Sequence, residues 1–196
     1  MGKKVKPMAN KKTIWITRTG VLLALLLALQ WVTLGTKAFA GQYITGSLVN
    51  CVLAVSALTA GLSSGLVIAL LSPIFAYLLG IAPQLVVVPA IMAGNCALVL
   101  VLWAVGRGNA PLWRKAVAVV LAAVCKFAVL YLLVVQVICG VGAGFLLGQS
   151  FFGAPVLLQP MIQALPLTFS WPQLVTALIG GTLGVLVSRI LDRAKA

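Results

Sequence analysis

Residues 116–138 read AVAVVLAAVCKFAVLYLLVVQVI, an apolar run of 23 residues that is interrupted near its middle by Lys126. A helix rises about 1.5 Å per residue, so this run is long enough to cross a bilayer. Lys126 would then lie near the membrane midplane, where a charge costs roughly 2.5–3.5 kcal/mol on insertion scales. The chain contains one acidic residue, Asp192, in its C-terminal tail. The acceptor that balances Lys126 therefore has to be something other than an ordinary internal carboxylate.

The composition of the whole chain is that of a membrane protein. Of its 196 residues, 63% are hydrophobic and only 8% are charged, whereas about a quarter of a soluble domain is charged. The apolar runs are continuous rather than alternating, which favours helices over a β-barrel. The net charge of +13 lies in tails and one short loop that flank apolar runs. This distribution indicates contact with membrane lipid and no nucleic-acid partner.

The sequence predicts an all-α integral membrane protein with six transmembrane helices. A basic cytoplasmic tail, residues 1–13, precedes a single membrane domain, residues 14–196. Spans are predicted at about 14–36, 46–60, 64–80, 85–105, 116–138 and 174–190, with an outer loop over 139–173 whose glycines and prolines interrupt any longer helix.

Charge decides the orientation of these spans. With the N-terminus inside, the inner segments hold twelve of the 14 basic residues, the outer loops hold Lys37, and Lys126 lies in the membrane. We therefore expect both the N- and the C-terminus to be cytoplasmic. A cleaved signal peptide ending at Ala38-Phe39-Ala40 is the alternative, although its apolar stretch is long for one.

Catalytic and metal chemistry find little support in the sequence. There is no histidine, and the four cysteines (Cys51, Cys96, Cys125 and Cys139) have no CxxC spacing, so we expect no metal site, no disulfide framework and no cofactor. No GxxxxGK[ST] motif is present, so the chain cannot bind ATP through a phosphate-binding loop, and any energy it uses would have to come from a partner or a gradient. GLSSG at 61–65 matches GxSxG and leaves open a Ser63–Lys126 hydrolase. Its geometry is poor, because Ser63 belongs to an inner turn, about 15 Å from the midplane.

Lys126 has two open interpretations. It either hydrogen-bonds to helix carbonyls or to Asn50, Asn95 or Gln136, or is kept neutral by burial, and so has a structural role. Alternatively, it faces a cavity and meets an anionic group of a substrate, which would stabilise its charged form. Asn50 and Asn95 are weaker candidates for substrate contact, because amides within membrane helices usually bind other helices.

Aromatic residues near the predicted outer face form a second group of candidates. Tyr43 and Trp171, with Phe151 and Phe152, suit either anchoring at the membrane interface or stacking on a flat substrate ring. Tyr43 and Trp171 complete the candidate substrate site with Lys126, Asn50 and Asn95.

Two pairs of small residues occur at a spacing of four. Ala24 and Ala28 form one pair in the first span, and Gly180 and Gly184 form the other in the sixth, extended by Ala177 and Ser188. Small residues one turn apart let another helix approach closely. Each pair is interpreted either as internal packing or as a docking face for a partner membrane protein.

Several of these features together resemble the substrate-binding S component of an energy-coupling factor (ECF) vitamin transporter. They are the six-span domain, Ala24-xxx-Ala28 after Thr17-Arg18-Thr19, the neutral loop before the last span, and the segments GSLVN (46–50), GLVIALLSP (65–73) and PAIMAGN (89–95). The resemblance covers residues 14–190. It implies a bacterial cell-membrane protein with an S-component-like bundle that binds one micronutrient from outside.

The resemblance also implies partners and a site. Ala24 and Ala28 would pack on a transmembrane coupling subunit, and two cytoplasmic ATPases would drive the cycle. Residues 37–45, 81–84 and 139–173 would cover the pocket. An anionic vitamin would suit Lys126. A non-transporting membrane scaffold remains the alternative, and it predicts no tight small-molecule binding.

Overall fold

The structure, a computed structural model, describes residues 10–33, 39–82, 84–151 and 153–194. These residues form a helical bundle with one short antiparallel hairpin. The elements are α1 (Lys11–Val32), α2 (Phe39–Val55, continued by a π-helical turn, Ser56–Ala60), α3 (Leu62–Leu78), a 3-10 turn (Leu85–Val87), α4 (Val88–Gly106), α5 (Leu112–Leu130, continued in π-helical form over Tyr131–Val141), α6 (Ala143–Leu146), β1 (Ser150–Phe151), β2 (Ala154–Pro155), α7 (Gln159–Thr168) and α8 (Trp171–Arg193).

Five helical stretches among the described residues are long and apolar enough to cross a membrane. They are Lys11–Val32, Gly41–Ala60, Leu85–Gly106, Leu112–Val141 and Gln159–Arg193. This confirms the prediction of an all-α membrane protein. The remaining predicted span, 64–80, corresponds to α3, which has 17 residues. At 1.5 Å per residue α3 is about 26 Å long, slightly shorter than the ~30 Å hydrocarbon core.

The first two helices begin earlier than predicted. α1 starts at Lys11 rather than residue 14, because the Asn10 side chain accepts a hydrogen bond from the Lys12 backbone at 3.1 Å and caps the helix. α2 starts at Phe39 rather than residue 46, so most of the predicted outer loop 37–45 is helical. Residues 1–9 of the predicted tail lie outside the described residues, as do residues 34–38.

Proline positions explain the largest correction, in the predicted loop 139–173. The fifth helix continues to Val141, and the loop contains α6, the hairpin and α7. Pro160 and Pro172 lie in the first turns of α7 and α8. A proline there loses no helical hydrogen bond, so these prolines begin helices rather than interrupt them.

The predicted turn at 61–65 is also much shorter in the structure. Gly61 alone breaks the chain, with φ at 97°, and α3 begins at the next residue. A positive φ of this size is disfavoured for residues that carry a Cβ, so glycine allows the break to occupy one position.

Contacts between helix termini define two ends of the bundle. At the basic end, the indole nitrogen of Trp15 in α1 donates to Ser63 in α3, and Lys115 in α5 shares a cleft with Arg189 in α8. At the opposite end lie α6, the hairpin and α7, which together form the cap (residues 143–168). At this cap end, the side-chain amide of Gln42 in α2 donates to the carbonyl of Thr168 in α7 at 2.9 Å. Of the nine described lysines and arginines, only Lys126 lies away from the basic end.

Two apolar clusters fill the bundle, one toward each end. The basic-end core includes Leu53, Leu98 and Ala122. The cap-end core includes Leu130 from α5 and joins it to the loop and to α7, through residues such as Leu157 and Leu165. Along α5, Lys126 falls between Ala122 and Leu130, so a polar layer separates the two cores.

Candidate functional site

The ammonium group of Lys126 is the centre of the polar layer. Its Nζ donates to Asn50 Oδ1 at 2.6 Å and to Asn95 Oδ1 at 2.7 Å. All three side chains are buried, with Lys126 only 3% exposed. Since Asn50 belongs to α2 and Asn95 to α4, the ammonium of α5 ties three helices together.

A fourth helix joins through Asn50. Its Nδ2 donates to Thr176 Oγ1 at 3.4 Å, and Thr176 in turn donates to the carbonyl of Gln173 within α8. All of the partners named are uncharged, so Lys126 is the only ionisable side chain in this set of hydrogen bonds among the described residues.

Glycines at two crossings bring these helices close enough for the layer to form. α8 lies directly on α2 at Gly180, where an added Cβ would come within 2.9 Å of the Cys51 backbone nitrogen. α4 meets α5 at Gly94, where a Cβ would lie 2.8 Å from Leu130. Distances below 3.0 Å are not compatible with the observed packing, so both close approaches depend on glycine.

Two neutral acceptors are enough to hold the lysine in place. A hydrogen bond that involves a charged group contributes roughly 1.5–3 kcal/mol. Two such bonds therefore offset the roughly 2.5–3.5 kcal/mol that a central charge costs in a membrane helix. A lysine ammonium has three donors. Asn50 and Asn95 accept two hydrogen bonds from this group.

The other predicted site residues are placed differently. Trp171 is 68% exposed and stacks on Phe127, with ring centroids 5.7 Å apart. Tyr43 is half-buried in α2, seven residues before Asn50, or about 10 Å along the helix. The structure therefore brings Lys126, Asn50 and Asn95 together, and it places Trp171 on the exposed face of the bundle.

A cleft of about 220 Å³ opens at the cap end. It is lined by residues from the end of α3, the turn before α4 and the hairpin, namely Tyr77, Gln84, Leu85, Val86, Phe151, Pro155 and Val156. Two of the three segments expected to cover a pocket, 81–84 and 139–173, contribute residues to this cleft. Tyr77, Leu85 and Val86 were not predicted, because an apolar residue at a helix end carries no distinctive sequence signal.

The two small-residue pairs lie in opposite environments. Gly180 and Gly184 are buried in α8 against α2. Ala24 and Ala28 are both exposed on α1. Gly20 extends this exposed stripe by one more turn, and an added Cβ there would meet no atom within 4 Å. The spacing of Gly20 from Ala24 could have identified it from the sequence.

The candidate nucleophile Ser63 and the four cysteines lie apart from any catalytic or metal-binding arrangement among the described residues. Ser63 is exposed and accepts the hydrogen bond from Trp15, whereas Lys126 is engaged by Asn50 and Asn95 in the polar layer. The four cysteines are free thiols. Among the described residues, no three side chains of the His, Cys, Asp and Glu types come together as metal ligands.

No protein-family model, curated protein or solved structure matches this chain.

Proposed function

We propose that this protein is the substrate-capture subunit of an ECF-type ABC importer in a bacterial cell membrane. It would bind a small anionic micronutrient, such as a vitamin, and dock through α1 on a transmembrane coupling subunit served by two ATPases. Exposure of Ala24 and Ala28 on α1 carries this proposal.

The burial of α1 distinguishes it from the other candidate spans. Only 17% of its apolar window is buried, against 39–44% in the other four. Gly20, Ala24 and Ala28 recur every four residues on its exposed surface. Lipid-facing positions have no need of small residues, whereas a partner helix packs closely on them. A stripe of this kind is therefore best explained by a second membrane protein.

The proposed topology has six spans, with α3 as the short one. Eight of the nine described basic residues lie at the basic end, which the positive-inside rule would place in the cytoplasm. Both chain termini would then be cytoplasmic, and the cap would face the outside. This orientation suits a subunit that takes its ligand from outside and meets ATPases inside.

The polar layer would provide the specificity for an anion. A substrate carboxylate or phosphate would accept the third donor of Lys126, giving a charge-assisted hydrogen bond in a low-dielectric site. The cap-end core lies between this ammonium and the outside, so ligand entry requires the cap to move. The cleft beside Gln84 and Phe151 is the proposed starting point of that movement.

Two other functions are less well supported by the geometry. A Ser63–Lys126 hydrolase requires a hydrogen bond between nucleophile and base, but the side chains of these two residues have other partners. A membrane scaffold would explain the exposed stripe on α1. It would not explain a buried lysine held by two amides.

The test is calorimetric titration of the purified protein with a panel of anionic and neutral vitamins. We expect one anionic compound to bind with a Kd below about 1 μM, equivalent to about −8 kcal/mol. Binding of no member of the panel at that level would contradict the capture function. Binding of a neutral vitamin alone would refute the proposed role of Lys126.

A further inference from the structure

A strongly basic cleft lies at the end of the bundle opposite the cap. It encloses about 300 Å³ and is lined by Asn109 and Ala110 from the α4–α5 loop, Lys115 from α5, and Arg189, Asp192 and Arg193 from α8. Three cationic side chains and one carboxylate give the lining a formal charge of +2. The substrate-capture function makes no use of this cleft.

Lys115 is the unusual member of this group, because it is only 5% exposed. Buried lysines are normally paired. Across residues 10–33, 39–82, 84–151 and 153–194, no hydrogen bond or ion pair engages its side chain. Asp192 does have an interaction of its own. Lys115 thus contributes a cation, on a side chain that is buried for most of its length, to the wall of the cleft.

The start of α5 adds to the positive potential. Its first turn contains no acidic residue, and no side chain caps its free backbone N–H groups. An uncapped helix N-terminus carries about half a positive charge and favours anions. Arg189 and Arg193 approach from α8, and guanidinium groups can donate to phosphate oxygens in pairs.

We propose that this cleft binds the phosphate of an anionic phospholipid headgroup. The surroundings favour a lipid over a soluble phosphate, because Leu112 and Trp113, next to the lining residues, are 50% and 69% exposed. Such apolar side chains at the end of a membrane helix suit the boundary between headgroups and acyl chains. Basic pockets between helix ends are a recurring form of lipid headgroup site.

The experiment uses the full-length protein, delipidated in neutral detergent and titrated with phosphatidylglycerol. Bound lipid is counted by native mass spectrometry, with phosphatidylcholine as the neutral lipid and glycerol 3-phosphate as the soluble phosphate. Lys115→Gln and Arg189→Gln each remove one cation from the cleft. Arg114→Gln is the matched control, since Arg114 is exposed and is absent from the lining. Thermal unfolding of each variant checks its fold. If Lys115→Gln fails to fold, Arg189→Gln still shows whether loss of one cation from the cleft weakens lipid binding.

We expect phosphatidylglycerol to bind at least about tenfold more tightly than phosphatidylcholine, and each cleft variant to lose about tenfold in affinity, the size of one charge-assisted contact. Arg114→Gln should bind like the unmodified protein. Equal binding of the two lipids, or an equal loss in Arg114→Gln, would overturn the site. Displacement of the lipid by an equimolar amount of glycerol 3-phosphate would overturn the lipid assignment and identify a soluble phosphate instead.

Discussion

The two small-residue pairs share a spacing and differ in almost every other respect. Gly180 and Gly184 lie against α2 at backbone contact distance, while Ala24 and Ala28 lie on the open face of the least buried candidate span. The buried pair brings Asn50 within reach of the polar layer, and the exposed pair contacts no other helix closely. A spacing of four therefore indicates that a helix can approach, and the fold decides whether that helix belongs to the same chain.

The neighbours of each pair show how the difference could be recognised. In α8, small residues continue over about three turns at Ala177, Gly180, Gly184 and Ser188, and all four are buried. In α1, large residues that flank the pair, such as Val21 and Leu25, are 62% and 49% exposed. A long stripe composed only of small residues suits an internal crossing. The α1 stripe lies at exposed positions of the least buried candidate span, so it suits a surface that faces lipid or a partner.

The largest effect should come from filling the buried crossing. Gly180→Leu would place side-chain atoms where the α2 backbone now lies, so we expect a loss of about 3 kcal/mol or more in the free energy of unfolding. Gly20→Leu is the matched control, because that position is open. Thermal unfolding in detergent measures both variants. Equal stability of the two would show that the α2–α8 contact is not as close as described.

The next largest effect should come from a change in the polar layer around Lys126, which the buried α2–α8 crossing helps to form. Lys126→Met keeps an unbranched side chain that is one atom shorter and removes the amine. We expect it to weaken binding of an anionic ligand by about 1.5–3 kcal/mol, the contribution of one hydrogen bond to a charged group. Calorimetric titration measures the change. Unchanged affinity in a variant that still folds, with a lowered unfolding temperature, would leave Lys126 a structural role and contradict its role in ligand binding.

The smallest effect should be found on the exposed stripe. Gly20→Ala adds a methyl group in open space and improves helix propensity, so we expect the free energy of unfolding to rise by about 0.5–1 kcal/mol. Gly184→Ala should have the opposite sign, because its methyl group would approach the Cys51 carbonyl oxygen to 2.9 Å. A rise in stability for both variants would remove the distinction between the two stripes.

Much of the helical pattern could be predicted from hydropathy alone, because apolar runs of span length have few other stable solutions. The amide partners of Lys126 were also predictable in part. Asn50 and Asn95 accept its hydrogen bonds, whereas Gln136, the third amide considered, donates to Tyr131 instead. A buried lysine in a chain with one acidic side chain has few acceptors available. The amides within the spans were therefore the main candidates to accept its hydrogen bonds.

The loop between the last two long helices was far less predictable. Pro160 and Pro172 were interpreted as helix breakers, yet both lie where helices begin. Proline restricts φ in the same way whether it ends a helix or lies in the first turn of one. Tertiary packing decides whether a helix follows the proline. The cleft beside Gln84 could not be derived from the sequence pattern alone, since it forms from segments far apart in the sequence, although the resemblance to S components pointed to two of these segments.

The central claim is that Ala24 and Ala28 form the docking face for a coupling subunit, and copurification tests it most directly. The protein is coexpressed with an ECF coupling subunit and its ATPases, and the amount of coupling subunit retained is compared between variants. Leu183→Trp with Val187→Trp is the matched control, since this pair in α8 has the same spacing and is also exposed.

We predict that Ala24→Trp with Ala28→Trp abolishes retention of the coupling subunit while vitamin binding and thermal stability are unchanged. The α8 control should retain the coupling subunit like the unmodified protein. Full retention by the α1 variant, or an equal loss in the α8 control, would contradict the account.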